Sequence, residues 1–131
     1  MSDVIAQKKR ARPKNLDLRT VRFPITAIVS GVHRITGVGL FLLLPWLLYL
    51  FDRSTKSAKT FEVFSNAVGG WFAKLILLGL LWAFLHHLCA GVRFLLLDAH
   101  KGLELQTAQK TSYIVFGVSI ALTLIIGVIL W

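Results

Sequence analysis

The chain has 131 residues, of which 56% are hydrophobic, and its mean hydropathy is +0.70. Soluble domains are about 45–50% apolar, so this composition excludes an ordinary soluble domain. The net charge of +9 does not indicate nucleic-acid binding, because the basic residues collect on one side of the apolar segments, and the single Cys89 excludes an internal disulfide.

The chain begins with a polar, basic arm over residues 1–22 that has no apolar periodicity. Such a segment is expected to be partly disordered alone and to order against a partner. Pro24 suits the first turn of a helix, so we predict a first helix over about 24–51. Its first turns carry Ser30, His33 and Arg34, and its remainder is apolar.

Two further apolar stretches follow the first. Residues 52–70 read as a polar connection, 71–97 as a second helix, 98–110 as a second connection and 111–131 as a third helix. A bilayer core requires about 20 apolar helical residues. We therefore predict an all-α integral membrane protein in which residues 23–131 form one anchor domain of three transmembrane helices.

The basic residues indicate the orientation of these helices. Eleven of the fifteen Lys and Arg residues lie in the arm, at the start of the first span or around the second connection, and four lie near the first connection. Cytoplasmic segments carry the excess of Lys and Arg. We therefore expect a cytoplasmic N-terminus and a C-terminus across the membrane.

Two adjacent histidines lie inside the second span, where ionisable groups are costly and usually functional. Residues three and four positions away share a helical face. For His87 these are Ala83, Phe84, Ala90 and Gly91, and three of the four are small. This notch admits a flat, bulky group, so His87 could ligate haem iron, serve a proton or quinone path, or pack.

His86 points about 100° away from His87 and is the better candidate for a packing or hydrogen-bonded residue. His33 is at the edge of the first span, whereas His87 is ten residues inside Leu97, roughly 15 Å deeper. We therefore expect no second histidine of this chain at the depth of His87. A six-coordinate haem would then need a histidine from another chain.

Polar side chains gather at the basic side of the membrane. His33, Arg34 and Arg93 offer donors for carboxylates such as haem propionates, or for a quinone carbonyl. Arg93 could instead extend to the headgroups. Ser30 could donate to a quinone oxygen or bond its own helix backbone.

Five motifs occur along the chain: Arg12-Pro13-x-Asn15-Leu16-Asp17-Leu18, Arg22-Phe23-Pro24-Ile25-Thr26-Ala27-Ile28-x-Ser30, His33-Arg34-Ile35-Thr36-Gly37, His87-x-x-x-Gly91-x-Arg93 and Asp98. With them, nearly the whole chain resembles the larger membrane-anchor subunits of bacterial succinate dehydrogenase, the cytochrome b subunits of respiratory complex II. The segment from Arg22 to Gly37 is the most specific part of the match.

The resemblance implies a four-subunit enzyme of electron transport and the tricarboxylic acid cycle in the bacterial inner membrane. A flavoprotein subunit oxidises succinate, an iron–sulfur subunit carries electrons, and two anchor subunits form a helical bundle that binds haem b and reduces ubiquinone. It implies that His87 is an axial ligand of haem b, that the second anchor supplies the other ligand, that Ser30 and Arg34 bind quinone, and that His33 lies near a propionate.

One position departs from the family pattern, which commonly has histidine where this chain has Phe94. Two other functions remain open. One is the anchor of a fumarate reductase that oxidises quinol, and the other is a structural anchor without haem in which His87 packs.

The predicted topology is open to a direct test. Alkaline phosphatase fused after Trp131 should be active in the periplasm, because three spans carry the C-terminus across the membrane from a cytoplasmic N-terminus. Fusions within residues 98–110 are the matched control and should be inactive. Activity from the 98–110 fusions alone would contradict the topology.

Overall fold

The computed structural model describes Asp17 and residues 19–131, and this part of the chain is helical with no strand. The helices are α1 (Ile25–Thr55), α2 (Ala58–Gly69), α3 (Trp71–Asp98) and α4 (Leu105–Leu130). Residues 1–16 and 18, which include most of the predicted arm and the motif that begins at Arg12, lie outside the described residues.

Three of the helices, α1, α3 and α4, are long and apolar enough to cross a membrane. This confirms the predicted all-α fold with three spans. Helix α4 begins at Leu105 rather than near 111, because the polar segment that precedes the apolar stretch is rich in good helix formers. Helix α1 likewise continues past the apolar stretch to Thr55.

The first connection differs from the prediction, since it contains the 12-residue helix α2. A reciprocal pair of hydrogen bonds begins this helix: Thr60 N donates to Ser57 Oγ (3.2 Å) and Ser57 N donates to Thr60 Oγ1 (3.0 Å). This capping box satisfies donors that a helix start otherwise leaves unpaired. After the capping box, the apolar residues Phe64 and Val68 are four positions apart, which is helical spacing. The polar residues around them mask this signal in the sequence.

Helix α3 is central and packs against both α1 and α4. The core consists of Val29 from α1, Ala90 from α3 and Val115 from α4, and Cys89 packs against it. We call the end of the bundle where α1 and α4 begin and α3 finishes the arm end, and the opposite end, which carries α2, the α2 end.

Small polar residues of α4 line its contact with α3. Ser112 and Ser119 are fully buried and Thr123 nearly so. Each hydroxyl donates to a carbonyl of its own helix, at 2.8, 3.0 and 2.7 Å. Because these hydroxyls are satisfied locally, they can be buried at the α3–α4 contact without the cost of an unpaired polar group.

Candidate cofactor site between α1 and α3

The rings of His33 and His87 lie face to face, with centroids 4.0 Å apart and planes 8° apart. The expectation that no other histidine of the chain shares the depth of His87 is therefore wrong. The error lay in placing His33 at the edge of the first span: α1 begins at Ile25, close to the predicted start, so His33 lies eight residues, or about 12 Å, inside its helix. His87 lies eleven residues, or about 16 Å, from the end of α3 at Asp98, so an offset of less than one helical turn between the two helix ends brings the rings level.

Backbone and side-chain atoms of α1 hold the His87 ring. Its Nδ1 is 3.0 Å from the carbonyl oxygen of His33 and 3.3 Å from Thr36 Oγ1. A carbonyl oxygen only accepts, so we assign the proton to Nδ1, which donates to it. The Thr36 hydroxyl donates to Val32 O at 2.8 Å. Nε2 of His87 then keeps its lone pair, which is the state that a metal-binding imidazole requires.

Gly37 makes this approach possible, and Gly91 lies beside the second ring at ordinary contact distance. A Cβ at Gly37 would lie 2.8 Å from Cε1 of His87, so any side chain there would displace the ring. A Cβ at Gly91 would lie 3.6 Å from Nε2 of His33. The His33 ring thus lies against the small-residue notch that the sequence predicted beside His87.

Thr36 and Gly37 are the residues of this site that the sequence reasoning did not single out. They lie three and four positions after His33, on the same helical face. That spacing was the available signal, but it becomes informative only once His87 is known to contact this face.

His86 is fully buried and packs between two aromatic rings, those of Trp82 (5.3 Å) and Phe116 (4.8 Å). Neither of its ring nitrogens, nor Trp82 Nε1, has a hydrogen-bond partner among the described residues. His86 thus has the packing role that the sequence predicted. The alternative, a hydrogen-bonded His86, is not seen among the described residues.

Arg93 is buried, with 6% of its surface exposed, so its side chain does not extend outward along the bundle surface. Its Nε donates to Thr111 Oγ1 (3.0 Å) and its Nη2 to Ala108 O (3.1 Å). Both bonds tie α3 to the first turns of α4. Within the part of the chain that the structure describes, no carboxylate forms an ion pair with this guanidinium.

Ser30 is half-buried and Arg34 is exposed, one turn apart on α1 at the arm end. Among the described residues the Ser30 hydroxyl makes no hydrogen bond, in contrast to Ser112 and Ser119, whose hydroxyls bond their own helix. A mainly apolar cleft of about 470 Å³ lies beside this region; its lining is Thr26, Ala27, Arg93, Phe94, Leu97, Leu103, Leu105 and Ala108.

The chain matches a known family over residues 8–126, and that family is described as the succinate dehydrogenase/fumarate reductase transmembrane subunit. This range includes all of α1, α2 and α3, most of α4, and most of the basic arm.

Individual relatives agree with the family match. The chain is 39% identical to the succinate dehydrogenase cytochrome b556 subunit of Coxiella burnetii, over 92% of this chain and 97% of the relative. It is 35% identical to the cytochrome b556 subunit of Paracoccus denitrificans, over 87% and 88%. It is 31% identical to the cytochrome b560 subunit of Reclinomonas americana, over 90% and 85%.

The packing role of His86 predicts two different substitution costs. His86→Leu preserves most of the volume and removes two unpaired nitrogens, so its cost should stay below about 1.5 kcal/mol. His86→Ala leaves a cavity and should cost about 2–5 kcal/mol. Thermal unfolding of the purified protein with its partners measures both. Equal losses for Leu and Ala would show that the nitrogens of His86 have a partner outside this chain.

Proposed function

The chain belongs to the succinate dehydrogenase/fumarate reductase transmembrane-subunit family, and we propose that it anchors a succinate dehydrogenase in the bacterial inner membrane. It is a multi-pass membrane subunit of an enzyme complex and is not itself catalytic. In this proposal succinate is oxidised on a flavoprotein subunit. An iron–sulfur subunit docked on the basic face delivers the electrons, and this chain with a second anchor passes them to ubiquinone.

The observation that carries the proposal is the fixed orientation of His87. With Nδ1 donating to the His33 carbonyl, Nε2 is the nitrogen available to ligate the iron of haem b. Relatives of this chain are named cytochrome b556 and b560 subunits. When bound, haem supplies a one-electron carrier within the membrane.

In this proposal a histidine of the partner anchor would hold the haem iron together with His87. His33 stacks on His87 ring to ring at 4.0 Å, and two rings in that arrangement cannot approach one iron from opposite sides. His86 faces Trp82 and Phe116 and so points away from His87. A histidine of another chain would therefore complete the residues that hold the haem.

His33 and Arg93 are proposed to serve the propionates or a proton path. The His33 ring makes no hydrogen bond within the described residues, and Arg93 uses only two of the five N–H groups of a guanidinium there. A buried, unpaired guanidinium is costly unless an anion accompanies it. A carboxylate of a bound group would supply that anion.

Ser30 and Arg34 are proposed to bind the quinone head-group at the arm end. Residues four apart on a helix share a face, and the Ser30 hydroxyl is not engaged by its own helix. The hydroxyl can donate to one quinone oxygen. The Arg34 guanidinium can stabilise negative charge that develops on the ring during reduction.

The family also includes fumarate reductase anchors, which would use the same residues in the opposite direction. The relatives described above are succinate dehydrogenase subunits, and on that ground succinate oxidation is proposed. The quinone that co-purifies with the complex distinguishes the two, because the proposal requires ubiquinone. A haem-free structural anchor would show no haem spectrum at all.

Replacing His87 should abolish or alter the low-spin haem spectrum of the assembled complex. His87→Leu removes the nitrogen proposed to hold the iron, and reduced-minus-oxidised spectra measure the result. His86→Leu is the control and should keep the spectrum. An unchanged spectrum in the His87 variant, or a loss only in the His86 variant, would contradict the assignment.

A matched glycine pair extends this test without touching the ligand. In Gly37→Ala the new Cβ collides with the His87 ring, whereas Gly39→Ala meets nothing within 4 Å. Displacing the bond to Nδ1 should weaken haem retention by about 10- to 100-fold, the usual effect of losing an outer-shell partner. Gly39→Ala should retain haem as the parent does.

The quinone assignment predicts a selective defect. Losing a charge-assisted hydrogen bond costs about 1.5–3 kcal/mol, so Ser30→Ala and Arg34→Ala should slow succinate-driven ubiquinone reduction, with Arg34→Ala falling roughly 10- to 150-fold. Succinate oxidation with a soluble dye acceptor should persist. Gly31→Ala, which meets nothing within 4 Å, is the control. Parallel loss of both activities in an assembled complex would mark the two residues as structural.

A further inference from the structure

Helix α2 carries a broader apolar face than its contacts with the bundle use. Thr60, Phe64 and Val68 are half-buried and form a ridge along the side that faces α1 and α3. Phe61 is 58% exposed and Val63 is 65% exposed. On a helical projection these two lie on opposite flanks of the ridge, about 60° and about 100° from Phe64.

The polar side chains occupy the remaining face. Lys59, Glu62 and Asn66 are exposed and lie at least about 140° from Phe64. A helix with a protein-bound ridge, two exposed apolar flanks and a polar back has the pattern of a helix that lies in the plane of a membrane surface.

We propose that α2 lies in the membrane–water interface at the α2 end of the bundle. In this position Phe61 and Val63 contact lipid while Lys59 and Glu62 face water. The helix would then set the depth at which α1 and α3 cross the bilayer, since interfacial anchors decide tilt and depth.

The surroundings of α2 favour lipid as the occupant of its flanks. Phe51 at the end of α1 and Trp71 and Phe72 at the start of α3 are 67%, 74% and 65% exposed. Exposed aromatic residues at span ends are typical of the interfacial belt. The two flanks of α2 therefore continue the lipid-facing surface of the spans that it connects.

The length of α1 and the local charge agree with this depth. Its 31 residues extend over roughly 46 Å, more than the roughly 30 Å of a hydrocarbon core, so its end can reach the headgroups. Asp52, Arg53 and Lys56 follow the apolar stretch of α1, and Lys56 is paired with Asp52 at 2.6 Å, so this end of α1 suits the polar headgroup layer.

Site-specific photo-crosslinking in the intact complex, in its native membrane, tests the proposal. p-Benzoylphenylalanine is placed singly at positions 61, 63, 62 and 66, all of which are exposed, so folding is spared. After irradiation, mass spectrometry measures whether the chain has gained the mass of a phospholipid or of another protein.

We expect a phospholipid adduct when the probe is at position 61 or 63, and no such adduct when it is at position 62 or 66. A protein adduct at 61 or 63 would mean that a partner subunit covers the flanks, and would overturn the proposal. Equal lipid adducts at all four positions would also overturn the proposal, because the helix would then be immersed in the bilayer. The absence of lipid adducts at positions 61 and 63 would overturn it as well, because the helix would then lie fully in water.

Discussion

The hydrogen bond from Nδ1 of His87 to the backbone carbonyl of His33 determines how α1 and α3 meet. An unpaired imidazole nitrogen within a helix contact is costly, and this bond pairs one nitrogen of the half-buried His87 ring while it fixes the tautomer of the ring. The bond depends on glycine at position 37, because a Cβ there would lie 2.8 Å from Cε1 of His87. Without that close approach, neither ring could stack on the other.

Three ionisable side chains of α3 are accommodated in three different ways. His87 bonds α1, Arg93 bonds the first turns of α4, and His86 is buried among aromatic rings with both nitrogens unpaired within the described residues. Because successive helical residues diverge by about 100°, adjacent histidines face different neighbours. Different faces of α3 therefore meet different neighbours, so that His87 contacts α1 while His86 packs against Phe116 of α4.

The two ends of the bundle differ in what they can do. The arm end gathers Ser30, Arg34 and the buried Arg93 beside an apolar cleft, so it combines charge, hydroxyl donors and space. The α2 end carries exposed aromatic residues and the amphipathic helix α2, so it suits attachment to the membrane surface. The two ends of α1 and α3 therefore differ in the side chains they present, with polar and charged groups beside a cleft at one end and exposed aromatic residues at the other.

The sequence by itself determined the features that depend on local pattern. Apolar stretches of sufficient length predicted the three spans, and the small neighbours of His87 predicted the notch beside it. The sequence missed α2, because a capping box and three ridge residues are a weak signal within a polar connection. It also misjudged the depth of His33. Only the tertiary structure decided that Thr36 and Gly37 hold His87 and that Arg93 bonds α4. The rotation and offset of one helix against another arise from packing between distant segments, and helical periodicity alone carries no information about them.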